Sequence, residues 1–389
     1  MTIGEPGWVL HAGAVLDGDR FHDRPLHFGT GRVVDTPVAP AAARAFDAAG
    51  LLIVPGMVDV HGDAFERNIA PRPGVTFDLG AALIETDRQL VANGITTAYL
   101  AVTVSWEPGL RSLATAVELM HALERVRPSL IVDLRVQIRW EITATEAVDS
   151  VCRWLSTQPT PTLAFNDHFT TLLGNPREVA KLPLYAARSG LSPGAYRAQL
   201  KRVISQGDAI DRAVKRIANV ARTRGVPMFA HDETSIDMRR HYRALGVAVC
   251  EFPLTVDTAR EARAHGEAVV LGAPNVVRGG SHTGAVHAGG AIADGLCTVL
   301  STDYHYPALF GAAATLAGND LARLAEAWAL VSRNAAVAVG LSDRGTLALG
   351  QRADAIALNW TAHGPSINAV FVRGRPVFLS EPERVQRTL

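Results

Sequence analysis

The chain has 389 residues, 48% of them hydrophobic, and its 38 lysines and arginines balance its 38 aspartates and glutamates. A chain of this length can bury a large core, and the neutral balance excludes the global basic field that draws a protein to nucleic acid or an anionic membrane, so a small-molecule partner is expected and any anion site has to be local. Three scattered cysteines, Cys152, Cys250 and Cys297, argue against a disulfide framework, and no basic leader or long apolar span is seen, which makes a reducing cytoplasm the expected compartment.

In chain order, residues 8 to 48 show short β-like runs and glycine turns, as in "VLHAGAVLDGDRF". From 51 to about 304, eight strand-like runs alternate with helical stretches: 51–60, 95–102, 131–140, 161–167, 226–230, 247–252, 268–273 and 297–303. Eight βα units predict an α/β fold of the (β/α)₈ TIM type over 51–343. In "LSPGAYRAQLK", Ser192 before Pro193 marks a helix start, the serine as N-cap. The stretch from 169 to 225 exceeds an ordinary βα connection and is expected to wall or cover the mouth. Residues 344–378 return to β-like runs ("ADAIALN", "NAVFVRGRPVF"). The two ends, 1–50 and 344–389, are therefore expected to form one small β-sandwich domain.

Side chains at the C-terminal ends of barrel strands converge on one mouth. His61 and Asp63 in "VDVHGDAFE" close the first strand, Glu141 the third, His168 the fourth, His231 the fifth and Asp303 the eighth. Residues two apart on a strand share a facing, so His61 and Asp63 can reach one ion together. A single histidine at a strand end is more often a hydrogen-bonded filler than a ligand. So many metal-type residues at one end of a barrel, however, would bury like charges uncompensated without a cation. One or two divalent ions are expected, zinc first and manganese or iron as alternatives. Asp303 can also take a proton from the attacking water and pass it to the leaving group; the competing reading makes it a helix N-cap. Beyond the seventh strand, "GAPNVVRGGSHTG" offers Asn275, Arg278 and His282 as an anion cradle, and Arg72, Arg139 and Lys181 fall where they could line the same mouth.

These residues in this order resemble the amidohydrolase superfamily, whose metal-dependent barrels carry a His-x-His motif or a variant on the first strand and an aspartate on the eighth. Within it, "PGMVDVHGDAFE", "QIRWE", "NDH", "FAHDET", "LSTDY" and above all "GAPNVVRGGSHTG" resemble the diphosphatases of alkylphosphonate metabolism. The resemblance implies hydrolysis of a phosphoanhydride in a ribosyl 5-triphosphate with release of pyrophosphate. In this reading His61, Asp63, Glu141, His168, His231 and Asp303 hold metal, and Arg72, Arg139, Lys181 and Arg278 clamp phosphate. Many relatives place a histidine on the sixth strand where this chain has Glu251, which makes His168 a candidate substitute. Superfamily members commonly associate, so a homo-oligomer is allowed, although no exposed apolar stripe requires one. The alternatives are cleavage of a non-peptide C–N bond, as in an amidohydrolase or deaminase proper, and a metal-binding scaffold without turnover.

Overall fold

The computed structural model of the protein describes residues 7–36, 43–72, 74–170, 172–174, 179–280, 286, 288–361 and 364–386. Eight strands form one parallel sheet: β1 (Met57–Gly62), β2 (Ile95–Val104), β3 (Asp133–Glu141), β4 (Thr162–Asn166), β5 (Met228–His231), β6 (Val249–Glu251), β7 (Ala268–Gly272) and β8 (Val299–Ser301). Each pairs with the next in chain order. The seam between β8 and β1 is closed at the mouth, where the Asp303 N–H donates to the His61 carbonyl at 3.0 Å and the Asp63 N–H to the Asp303 carbonyl at 2.8 Å. Buried Asp59 stitches the same seam, accepting from the Thr302 N–H at 2.9 Å and its hydroxyl at 2.6 Å. Val58, Val60, Tyr99, Ala164, Phe229, Val249, Val270 and Val299 fill the barrel interior, so it is a packed core with chemistry confined to its rim.

The two chain ends build two further sheets. One runs in the order 385–386, 44–47, 8–11, 26–29, 32–34, and the other 375–379, 364–372, 355–361, 51–55, 14–17, 20–23. They share a core in which Phe371 packs against Trp8, Phe28 and Phe46 at ring-centroid distances of 6.0, 5.7 and 5.4 Å. The apolar run 51–60, expected as one barrel strand, is in fact two. Leu51–Pro55 pairs with Ala355–Thr361 and Ala14–Asp17 in the outer sheet, and only after Gly56 does the chain enter the barrel. Periodicity could not show the break because both strands are buried and apolar. Gly56 sits at the crossing: a Cβ there would lie 2.3 Å from Thr96 Oγ1 and 3.0 Å from Asp354 Cβ. Gly56→Ala is expected to cost about 1–3 kcal/mol, as overpacking does, read as a lowered urea midpoint at unchanged slope; an unchanged midpoint would mean that this crossing is not tightly packed.

The excursion after β4 is helical and docked. Leu182–Arg188 and Pro193–Ile204 precede the crossover helix Gly207–Thr223. Ser192 caps the second as expected, its hydroxyl accepting from the Ala195 N–H at 3.2 Å. Buried Glu107, just past β2, anchors the insertion through the Tyr196 hydroxyl at 2.8 Å and the Arg188 guanidinium at 2.9 Å. Among the described residues no helix is long and apolar enough to cross a membrane, and all three cysteines are free thiols.

Candidate metal centre

Three of the strand ends use the same local device. Asp232, Phe252 and Asp303 follow β5, β6 and β8 with φ of 56, 53 and 54°, a left-handed backbone that non-glycine residues seldom adopt. The N–H of each donates to the neighbouring strand, to the Glu251, Val270 and His61 carbonyls at 2.9, 3.0 and 3.0 Å. The ladder is thus extended by one bond before the chain turns outward. On β1 the side-chain direction changes differently. Val58 and Val60 point into the barrel, so strict alternation would send His61 outward, but the register shifts between Asp59 and Gly62. A shift of this kind re-aims a side chain, and His61 turns inward to meet β5 and β6.

There Glu251, fully buried, is the hub. Its Oε2 accepts from His231 Nδ1 at 2.7 Å, its Oε1 from Gln137 Nε2 at 2.8 Å, and His61 Nδ1 lies 3.1 Å from Oε1. The His61 and His231 rings stack at 5.4 Å with planes 13° apart, and the Phe252 edge packs against both at 5.0 and 5.3 Å. Arg139, two residues after Gln137 on β3, places Nη2 3.1 Å from His231 Nε2 and Nη1 3.5 Å from Asp63 Oδ2. Asp63 is backed by Arg111 at 3.9 Å, itself held in a bidentate pair by Glu66. Glu141 ends β3 and pairs with His168 Nδ1, whose Nε2 lies 3.3 Å from Asp232 Oδ2.

Three overlapping groups could each hold an ion, their ligand atoms within 4.8 Å of one another: His61, His231 and Glu251; His168, His231 and Asp232; His61, Asp63 and Asp303. The residues fit a divalent cation on two further grounds. His61 Nδ1 is buried, and although Glu251 is close it makes no aligned hydrogen bond. Five carboxylates, those of Asp63, Glu141, Asp232, Glu251 and Asp303, also gather at this rim, where Arg139 and Arg111 both reach Asp63. Burial pushes the Asp303 carboxyl up to about 6, with neighbouring Asp63 and Asp232 adding to the rise against the pull of His61 and Arg139. In Glu251 burial works in the same direction, but His61 and His231 outweigh it and hold the carboxyl well below the usual range. For His168 burial opposes protonation, yet Glu141 and Asp232 raise it.

Of the residues singled out in the sequence, His61, Asp63, His168, His231 and Asp303 fall within these groups, and Glu141 joins through His168. Asp303 does not cap the helix Pro307–Ala317, which starts from Tyr306 without a side-chain cap. Asn275, on the short helix after β7, converges with Asp303 over Gly272: a Cβ on that glycine would sit 3.2 Å from Asp303 Oδ2 and 3.6 Å from Asn275 Nδ2. Arg139 is buried among the carboxylates. Arg278 stands on the rim and donates to the Tyr304 hydroxyl at 3.3 Å. Lys181 and Arg72 are exposed, Arg72 in a local bridge to Val75. His282 lies outside the described residues. Asp232, beside His231 in the sequence, reads there as ligand or supporting partner, and Glu251 only as a departure from relatives with a histidine. Glu251 carries the signal used for the others, an ionisable side chain directly ending an apolar strand; Arg111, not singled out, sits in a loop and carries none.

Residues 192–377 match the profile of the amidohydrolase family. The chain is 28% identical over 342 residues to the alpha-D-ribose 1-methylphosphonate 5-triphosphate diphosphatase of Escherichia coli (strain K12), covering 86% of this chain and 90% of that protein. Over residues 192–377 the chain carries an amidohydrolase family domain. A more distant relative is the adenine deaminase of Methylobacterium sp. (strain 4-46), 25% identical over 383 residues, which span 91% of this chain but 57% of the deaminase. Among solved structures, molinate hydrolase superposes with a TM-score of 0.65 at 13% identity, covering 96% of this chain and 95% of that one, a likeness of fold.

Proposed function

We propose that this protein is a metal-dependent diphosphatase that cleaves a ribosyl 5-triphosphate between its α- and β-phosphates, releasing pyrophosphate and leaving a 5-phosphate. The observation that carries the proposal is the diphosphatase similarity, which runs over nine-tenths of that relative and includes the mouth. The carboxylate-rich shell with a buried arginine inside it agrees with a substrate whose charge is balanced by hard cations.

His61, Asp63, Glu141, His168, His231 and Asp303, joined by Glu251 and Asp232, would hold one or two divalent ions of the zinc class, which when bound polarise a phosphoryl oxygen and activate water. Asp303 Oδ2 accepts the proton of the attacking water. The water oxygen bonds to the α-phosphorus, the bridging oxygen bond to that phosphorus breaks, and Asp303 returns the proton to the departing pyrophosphate or to solvent. Arg139 offsets charge spreading over the equatorial oxygens. Asn275 positions the phosphoryl group beside Asp303, and Arg72, Lys181 and Arg278 receive the outer phosphates from the rim; His282, four residues after Arg278 in the sequence, is a further candidate. Hydrolysis in heavy-oxygen water tests the site of attack. Label in the 5-phosphate product is expected; label in the pyrophosphate would mean attack at the β-phosphorus.

The deaminase relative supports a second reading, hydrolytic release of ammonia from an amino-heterocycle by the same Asp303 and shell. It requires no cationic rim, so neutralising Arg278 and Lys181 separates the two. KM for a triphosphate is expected to rise in Arg278→Ala/Lys181→Ala, whereas an amino-heterocycle would be turned over unchanged.

A further inference from the structure

The opposite pole of the barrel holds a second concentration of arginine that the chemistry at the mouth leaves unused. A cavity of about 640 Å³ opens there between the N-terminal end of β3 and the outer sheets. Its volume lies in the range of small-molecule sites. Arg127 and Arg135 line it from the barrel side, Arg32 and Arg373 from the outer sheets, and Arg344 and Arg352 from the segment that joins them. Six positions of β3 separate Asp133, on its wall, from Arg139 in the mouth, about 20 Å at roughly 3.3 Å per residue.

The carboxylates present do not balance this charge. Asp133 and Asp343 line the cavity, Asp354 bonds to Arg352 Nε at 2.6 Å and Glu124 acts on Arg127, so among the described residues six guanidiniums face four carboxylates and two positive charges are left over. Asp133 Oδ2 alone serves three arginines: Arg344 at 2.6 Å, Arg135 at 3.0 Å and Arg352 at 3.6 Å. Arg352 is 7% exposed, and its buried Nη2 has no hydrogen-bond partner. Burial and the neighbouring Arg344 and Arg373 cations together hold Arg352 below its ordinary value, and burial with Arg135 does the same to Arg127. Leaving a buried guanidinium nitrogen unsatisfied is costly. Arg127 and Arg32 donate to the Leu134 and Gly350 carbonyls at 2.6 and 2.7 Å, contacts that leave their charge uncancelled.

We infer that this cavity is a binding site for a small phosphorylated anion, held by guanidinium forks from the barrel and the outer sheets at once. Arginine suits the purpose because its planar fork takes two phosphoryl oxygens together. A ligand there would tie the outer sheets to β3, the strand whose far end carries Arg139 and Glu141. The inference is independent of the reaction at the mouth.

Calorimetric titration of the full-length protein with inorganic pyrophosphate tests it, comparing wild type with Arg127→Ala/Arg373→Ala and with Arg197→Ala/Arg202→Ala, which removes the same charge from helix Pro193–Ile204. Wild type and the helix variant are expected to show a saturable, salt-sensitive event that the cavity variant weakens at least tenfold, any event at the mouth persisting in all three. Equal binding by wild type and the cavity variant, equal weakening in both variants, or no saturable binding would overturn the inference. If the double variant fails to fold, the exposed single change Arg373→Gln is read for the same selective weakening.

Discussion

Asp303→Asn is expected to lower kcat by about 10²–10⁴-fold, the range general-base loss produces, and to leave the protein folded. The variant separates chemistry from architecture because the seam bonds at this residue use its backbone N–H and carbonyl, and both survive the change. Asparagine also tolerates the left-handed φ of 54° almost as well as aspartate does. What the variant loses is a carboxylate poised between His61 and Asp63, able to ligate an ion and take a proton. Steady-state kinetics beside a metal assay reads the two roles apart. Retained metal with lost turnover assigns the proton transfer to Asp303, lost metal with lost turnover assigns ligation, and wild-type kcat would remove it from the catalytic machinery.

The second large effect is expected at Glu251. Glu251→Gln keeps the volume and an oxygen for Gln137 but removes the charge that sits against His61 and His231. Metal affinity is expected to fall about 10–100-fold, as it does when a charged partner of ligating histidines is lost, with activity recovered at excess divalent ion. Wild-type affinity would show that Glu251 only packs the barrel. A pH dependence accompanies this. Burial pushes the Asp303 carboxyl up to about 6, so its share of ion binding is present above that value and is lost as pH falls through it, because the neutral acid is a poor ligand. Equilibrium dialysis across this window reads both effects.

The barrel was legible because eight buried parallel strands leave eight apolar runs alternating with helical stretches, and the polar residues that end them stand out against that background. His61, Asp63, His231 and Asp303 were found in this way. The same rule reaches Glu251, but comparison with histidine-bearing relatives cast it as a departure, while the structure makes it the hub. The break at Gly56 was hidden because a strand buried in the outer sheet and a strand buried in the barrel look alike in sequence. Alternation was an unreliable guide on β1, where the facing of His61 follows a register shift. The arginine cavity was illegible for a different reason: its six contributors come from four separate stretches of chain, and only the closure of the outer sheets against the barrel assembles them.

The central claim, metal-assisted cleavage of a phosphoanhydride, is tested most directly by assaying the metal-loaded protein for pyrophosphate release from ribosyl 5-triphosphates and for ammonia release from adenine and related amino-heterocycles in parallel. The account predicts pyrophosphate in equal amount to the 5-phosphate formed, abolished by chelation and by Asp303→Asn, with no ammonia. Ammonia from an amino-heterocycle with no pyrophosphate from any triphosphate would contradict it.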